Sequence, residues 1–164
     1  MQSLLKKEVK SFLIKAIGQE LYAHNMYKNF ANKMQAIGYF GTQKYFLKES
    51  EDELKHYQIL ADYINDRGDV AEIPSIPAQE DNPASLKEAF DMAYEIELSL
   101  EKFYVKGYDL VEDELGDCIT AQFLLQFLEI QRISVGEIKD ILSMLKLAKE
   151  DSASLFLIDK KLSK

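Results

Sequence analysis

Apolar residues recur every three or four positions through four long windows of this chain, and a chain patterned in that way buries its stripes as a bundle of long helices. The first window, about residues 4 to 36, carries Leu5, Val9, Leu13, Ala16, Ala23, Tyr27, Phe30 and Met34. The second carries Phe46, Tyr57, Leu60 and Ile64; the third carries Leu86, Phe90, Ala93, Leu100, Tyr104 and Val111. The fourth runs through Leu124, Phe127, Leu128, Val135, Ile138, Leu142 and Leu145. Windows of about 25 to 33 residues predict helices roughly 37 to 50 Å long, at about 1.5 Å per residue. Seven glycines and three prolines in 164 residues leave little room for the frequent turns of an all-β fold.

The connections set the topology. IGYFG, residues 37 to 41, offers two glycines for a short turn, and Gly68 suits the end of the second helix. DVAEIPSIPAQEDNP holds all three prolines and no helical period. A crossover of roughly 17 residues reaches back along a helix at about 3.3 Å per residue. Ser85-x-x-Glu88 has the spacing of a capping box and reopens a helix after Pro83. Gly116 stops that helix and Asp117 is placed to cap the next, while SASLFLIDKKL reads as a short amphipathic helix. The expected fold is all-α, one domain over residues 1–164. It comprises a four-helix bundle at about 4–148, one long crossover between helices 2 and 3, and a short fifth helix at about 152–162.

Each stripe is interrupted near mid-helix by a carboxylate or amide residue, and in the second stripe Ser50 shares the gap with it. Glu20 sits between Ala16 and Ala23, Glu53 between Phe46 and Tyr57, Glu97 between Ala93 and Leu100, and Gln131 between Leu128 and Val135. A lone carboxylate in an apolar interior costs several kcal/mol or takes up a proton, and several converging carboxylates repel one another. A cation among them removes both difficulties. Oxygen ligands with one imidazole suit hard to borderline divalent ions such as Fe²⁺ or Mn²⁺, and a bridging carboxylate can hold two. Glu53 and His56 lie at i and i+3 on one face and can ligate together. The bland alternatives are a solvated helix edge for any single glutamate and a capping box at Ser50-x-x-Glu53. The latter is weakened because the helical period already runs through the residues before Ser50. His24 lies one turn beyond Glu20, where it either packs or tunes the site.

A net charge of −8, from 28 acidic and 20 basic residues, argues against binding to a nucleic-acid backbone. No apolar run approaches the length of a membrane span. The single cysteine, Cys118, forms no internal disulfide, and MQSLLKKEVKSF has no apolar stretch of signal-peptide length. A cytoplasmic location is therefore expected.

The polar set resembles the ferroxidase centre of the non-haem ferritins, bacterial type, within the ferritin-like di-iron carboxylate family. Glu20 in QELYAHNMY, Glu53-x-x-His56 in EDELKHY, Glu97 in AYEIELSLEKF and Gln131 in FLLQFLEIQRIS match in order and spacing. The resemblance covers essentially the whole chain, and SASLFLIDKKL is similar to the short helix at the four-fold axis of the ferritin shell. It implies an iron store that oxidises Fe²⁺ with dioxygen or peroxide and self-assembles into a hollow shell, usually of twenty-four subunits. It further implies that Glu20 and His56 bind a first iron, Glu53 bridges, and Glu97 binds a second. Gln131 would orient the oxidant or a water, and Tyr27 matches the family's tyrosine beside the centre.

The departures carry their own expectations. Ser134 stands where many bacterial members carry a glutamate, and Ile130 and Ile133 where extra carboxylates are common, so a third iron site is not expected. Bacterioferritins carry a haem-ligating methionine where Leu54 stands and a second Glu-x-x-His where Ser134 stands, so neither haem nor that variant is expected. Lys55 interrupts an acidic patch, and Ala121 and Leu124 replace the acidic lining of the three-fold channel in animal ferritins. Two alternatives stay open: a twelve-subunit, DNA-protecting mini-ferritin, and a structural subunit with a weakened metal site.

Overall fold

The computed structural model describes residues 2–80 and 82–164. Its elements in chain order are α1 (Lys7–Ala36), α2 (Phe40–Asp66), α3 (Leu86–Asp109), a π-helical turn (Leu110–Glu114), α4 (Cys118–Ala148) and α5 (Ser152–Leu162). Among the described residues there is no strand, and no helix is long and apolar enough to cross a membrane. The fold is therefore all-helical, as the stripes require.

The stripes form one core, with Leu13, Ile17, Phe30, Phe46, Leu60, Ile64, Phe90 and Phe127 wholly enclosed. Leu5 is buried ahead of α1, which begins at Lys7 and not at residue 4. Tyr57, Leu128, Val135 and Leu142 are half-buried at the edges of their stripes.

Helix ends follow local chemistry. At the end of α1, Gly38 adopts a φ of 91°, while Gly38 N–H bonds Gln35 and Tyr39 N–H bonds Met34. At the end of α2, Gly68 has φ 76°, Gly68 N–H bonds Asn65, and Asp69 N–H bonds Ile64. Both are Schellman closures, which satisfy carbonyls that a helix end would leave bare. Ser85 Oγ accepts from Glu88 N–H at 3.1 Å. The Glu88 carboxylate accepts from Ala84 N–H at 2.7 Å, one residue earlier than a standard capping box. Asp117 caps α4 by accepting from Thr120 N–H at 3.1 Å.

Gly41 differs from the sequence expectation. Only Gly38 serves the turn; Gly41 lies inside the first turn of α2, and a Cβ there would fall 1.8 Å from the Asp159 carbonyl oxygen of α5. Tyr39, at the N-cap of α2, provides no side-chain cap. Asp159 supplies it from the other end of the chain, accepting from Gly41 N–H at 3.0 Å, Thr42 N–H at 2.6 Å and Thr42 Oγ1 at 2.7 Å. The carboxylate thus satisfies free N–H groups at the positive end of α2. Gly41 is what lets α5 come close enough to do so.

The crossover follows α1. Asp69 pairs with Lys10 at 2.6 Å, Pro74 rests against Gly18, and Asn82 accepts from Asn29 at 2.7 Å. Contacts at residues 10, 18 and 29 in that order carry the chain along α1 in its own direction, so α3 starts beside the C-terminal end of α1. Two buried pairs, 27 with 97 and 20 with 104, make α1 and α3 antiparallel.

Candidate metal centre

The four interrupting residues are all turned inward. Glu20, Glu97 and Gln131 are fully buried, Glu53 is nearly so, and His56 is half-buried beside them. One ligand atom from each of Glu20, Glu53 and His56 lies within 4.8 Å of the other two. Among the described residues no other set of three His, Cys, Asp or Glu side chains comes that close. His56 Nδ1 stands 3.1 Å from Glu53 Oε2 and 3.5 Å from Glu20 Oε2. Glu97, from α3, is buried but stands outside this tight triad, and Gln131, from α4, is buried as well.

Two tyrosines flank the carboxylates. Tyr27 donates its phenolic proton to Glu97 Oε1, and Tyr104 donates to Glu20 Oε1. The rings are held by stacking: Tyr27 on Phe46 at a centroid distance of 5.8 Å, Tyr104 on Phe127 at 4.9 Å. Phe127 also meets the edge of His56 at 6.2 Å. After these bonds, Glu20 Oε2, Glu97 Oε2 and both amide atoms of Gln131 remain buried without hydrogen-bond partners. Orphaned buried polar atoms are costly, and the carboxylate oxygens among them, together with Glu53 and His56, make a donor set suited to a divalent cation.

The electrostatics agree. Burial opposes the charge on Glu20, but His56, Glu53 and Tyr104 together hold its carboxyl below the ordinary range. Burial pushes Glu53 well above that range; His56 opposes this while the negative charges of Glu20 and Glu97 add to it. Glu97 is raised to about 7, by burial first and by Glu20, against the hydrogen bond from Tyr27. Burial works against protonated His56, yet its bonds to Glu20 and Glu53 outweigh that and raise it to about 10. Burial drives both phenols far up, with neighbouring carboxylates adding to the effect. At neutral pH His56 thus holds a proton between the two carboxylates.

A cavity of about 240 Å³ opens beside Glu53 and His56 and is lined by Glu49, Asp52, Ile130, Ile133, Ser134 and Glu137 among others. The α4 side carries the two isoleucines and the serine noted above. Burial, with Glu97, Asp52 and Glu137 nearby, raises Glu49 to about 7. Lys55 points away and pairs with Asp52 at 2.6 Å. His24 is not part of the triad; its Nδ1 lies 2.6 Å from the Ser50 carbonyl oxygen, tying α1 to α2 one turn away. Ser50 is a mid-helix residue whose hydroxyl bonds Leu47 O, so it caps nothing.

The residue that sequence reading passed over is Tyr104, which looked like one more core aromatic. The available signal was spacing: Tyr104 follows Glu97 by seven positions, as Tyr27 follows Glu20.

A family profile described as a ferritin-like domain matches residues 11–148. A probable bacterial non-heme ferritin-like protein of Haemophilus influenzae is 30% identical over 161 residues, covering 97% of this chain and 96% of its own. A bacterial non-heme ferritin of Staphylococcus saprophyticus is 28% identical over 160 residues, covering 98% and 95%. Among solved structures, an engineered closed form of the Archaeoglobus fulgidus ferritin superposes with a TM-score of 0.93 at 25% identity, over 97% of this chain and 96% of that one. The open-pore ferritin of the same archaeon gives 0.93 at 24% identity over 97% and 98%, a likeness of fold.

Proposed function

The chain belongs to the ferritin family, and from that premise we propose that it is a bacterial-type, non-haem iron-storage subunit that oxidises Fe²⁺ at a di-iron centre within its own bundle. The observation that carries this reading is the convergence of Glu20, Glu53 and His56 within 4.8 Å of one another inside the bundle, with Glu20 and Glu53 buried. Glu20 and His56 hold a first ferrous ion, Glu53 bridges, and Glu97 holds a second. Gln131, with its amide unpaired, orients the oxidant or a water.

Iron is the substrate here. Two ferrous ions held side by side release two electrons, which take dioxygen to hydrogen peroxide or hydrogen peroxide to water. The protein fixes the two ions at a distance that makes this a paired event. It also supplies anionic oxygens that favour the ferric product, and it takes up or releases protons at His56 and Glu53. Ferric product then moves to the interior of a shell, for which we infer the twenty-four-subunit assembly usual in the family, in the cytoplasm and without haem.

Aerobic addition of Fe²⁺ to the metal-free protein tests the claim. Ferric absorbance is expected to rise well above the buffer rate, and Glu53→Ala with His56→Ala is expected to remove the excess. An excess rate absent from the parent protein refutes the ferroxidase assignment. Mini-ferritins place the metal site between subunits and generally lack a fifth helix, so that alternative is disfavoured by a triad drawn from one chain and by the presence of α5. Light scattering distinguishes twelve subunits from twenty-four.

A further inference from the structure

α1 and α3 carry the same small device. Each has a buried glutamate followed seven residues later by a buried tyrosine: Glu20 and Tyr27 on α1, Glu97 and Tyr104 on α3. Because the two helices run antiparallel, each tyrosine reaches the glutamate of the other. Each hydroxyl donates to one carboxylate oxygen of its partner, and in both glutamates the other oxygen is buried without a hydrogen bond.

We propose that Tyr104 is a positioning residue for Glu20, the counterpart across the centre of Tyr27 for Glu97. This rests on the reading of the triad as an iron site and adds to it a restriction on how Glu20 ligates. With Oε1 committed to the phenol, Glu20 presents Oε2 alone, 3.5 Å from His56 Nδ1. A metal placed there receives one oxygen from Glu20 and not a chelating pair. Hydrogen-bond donors behind a ligating carboxylate fix its orientation in this way.

Tyr104 is built to hold still. Its ring stacks on Phe127 with planes 18° apart and meets the edges of Phe103 at 5.5 Å and Phe12 at 6.5 Å. Phe127 backs His56 as well, so one aromatic ring supports both the triad's imidazole and the phenol bonded to Glu20. The hydroxyl cannot follow Glu20 if the carboxylate swings. Deleting the hydroxyl leaves the ring contacts in place, which makes Tyr104→Phe a clean probe.

The test uses Co²⁺, added without oxygen to the whole metal-free protein, with calorimetry for affinity and visible ligand-field absorption for coordination. Tyr104→Phe is expected to weaken the first equivalent by about 10- to 100-fold and to lower its absorption, because Glu20 becomes free to chelate and raise the coordination number. Tyr27→Phe is expected to weaken the second equivalent and spare the first. A residue that merely packs would move thermal stability and leave the first-equivalent spectrum unchanged. Tyr104→Phe with the parent's affinity and spectrum overturns the proposal. A parent protein that binds no Co²⁺ overturns the metal-site reading itself, which separates the two failures.

Discussion

Loading the centre should release protons in a number that depends on pH in a way one residue controls. Metal ligands must be deprotonated to bind, so ions compete with whatever protons the site holds. At pH 6 to 8, His56, raised to about 10, holds one proton. Glu97, raised to about 7, holds about 0.9 of a proton at pH 6 and about 0.1 at pH 8. Filling the centre with Zn²⁺, which cannot be oxidised, is therefore expected to release about one proton more at pH 6 than at pH 8. Glu97→Gln should release the same number at both, since the titrating group is gone. Calorimetry in two buffers of different ionisation enthalpy measures the count directly. A release below one proton in the parent, or the same pH slope in the variant, refutes the assignment of these protons.

Three further outcomes follow from the same coordinates. The metal-free protein should lose stability as pH rises from 5 to 9. The folded chain keeps protons on Glu97 that the unfolded chain gives up near 4.5, so its contribution is present below that pH and gone above about 7; His56 extends the loss from 6.5 towards 10. At about 1.36 kcal/mol per unit, Glu97 alone accounts for about 3 kcal/mol, measurable by denaturant unfolding at several pH values. Asp159→Ala removes three hydrogen bonds at the start of α2 and should cost about 2 kcal/mol. Gly41→Ala should cost at least as much, and the pair should cost less than both together, since each expels the same helix. His24→Ala should cost about 1 kcal/mol by thermal unfolding and leave the Zn²⁺ stoichiometry unchanged, because its bond is to Ser50 O.

The polar interruptions were legible because a helix repeats every 3.6 residues: once Ala16, Ala23 and their equivalents define the buried face, Glu20 falls on it by arithmetic. The same logic located α5 and the caps at Ser85 and Asp117. What was not legible depends on the register between helices, which no single helix period contains. Tyr104 on its own stripe is an ordinary core aromatic; only the antiparallel offset of α1 and α3 brings it to Glu20. Gly41 reads as a turn residue until α5 lies over it, and its partner is 118 positions away. The edge placement of Leu128 and Leu142, which the stripe alone would bury, reflects where neighbouring helices end their coverage.

The π-helical turn at Leu110–Glu114 has a consequence for how the chain can change in length. Leu115 N–H bonds Leu110 O, five residues back, so this turn holds one residue more than an α-helical turn would. Each α-helical residue advances about 100° around the axis, and a surplus placed upstream of Glu97 or downstream of Cys118 would rotate ligands out of the core. Here it falls between the last buried hydroxyl of α3 and the break at Gly116, where nothing that touches the centre lies beyond it on the same helix. Insertions and deletions can come and go at this corner while the angular phase of both Glu97 and Gln131 is preserved.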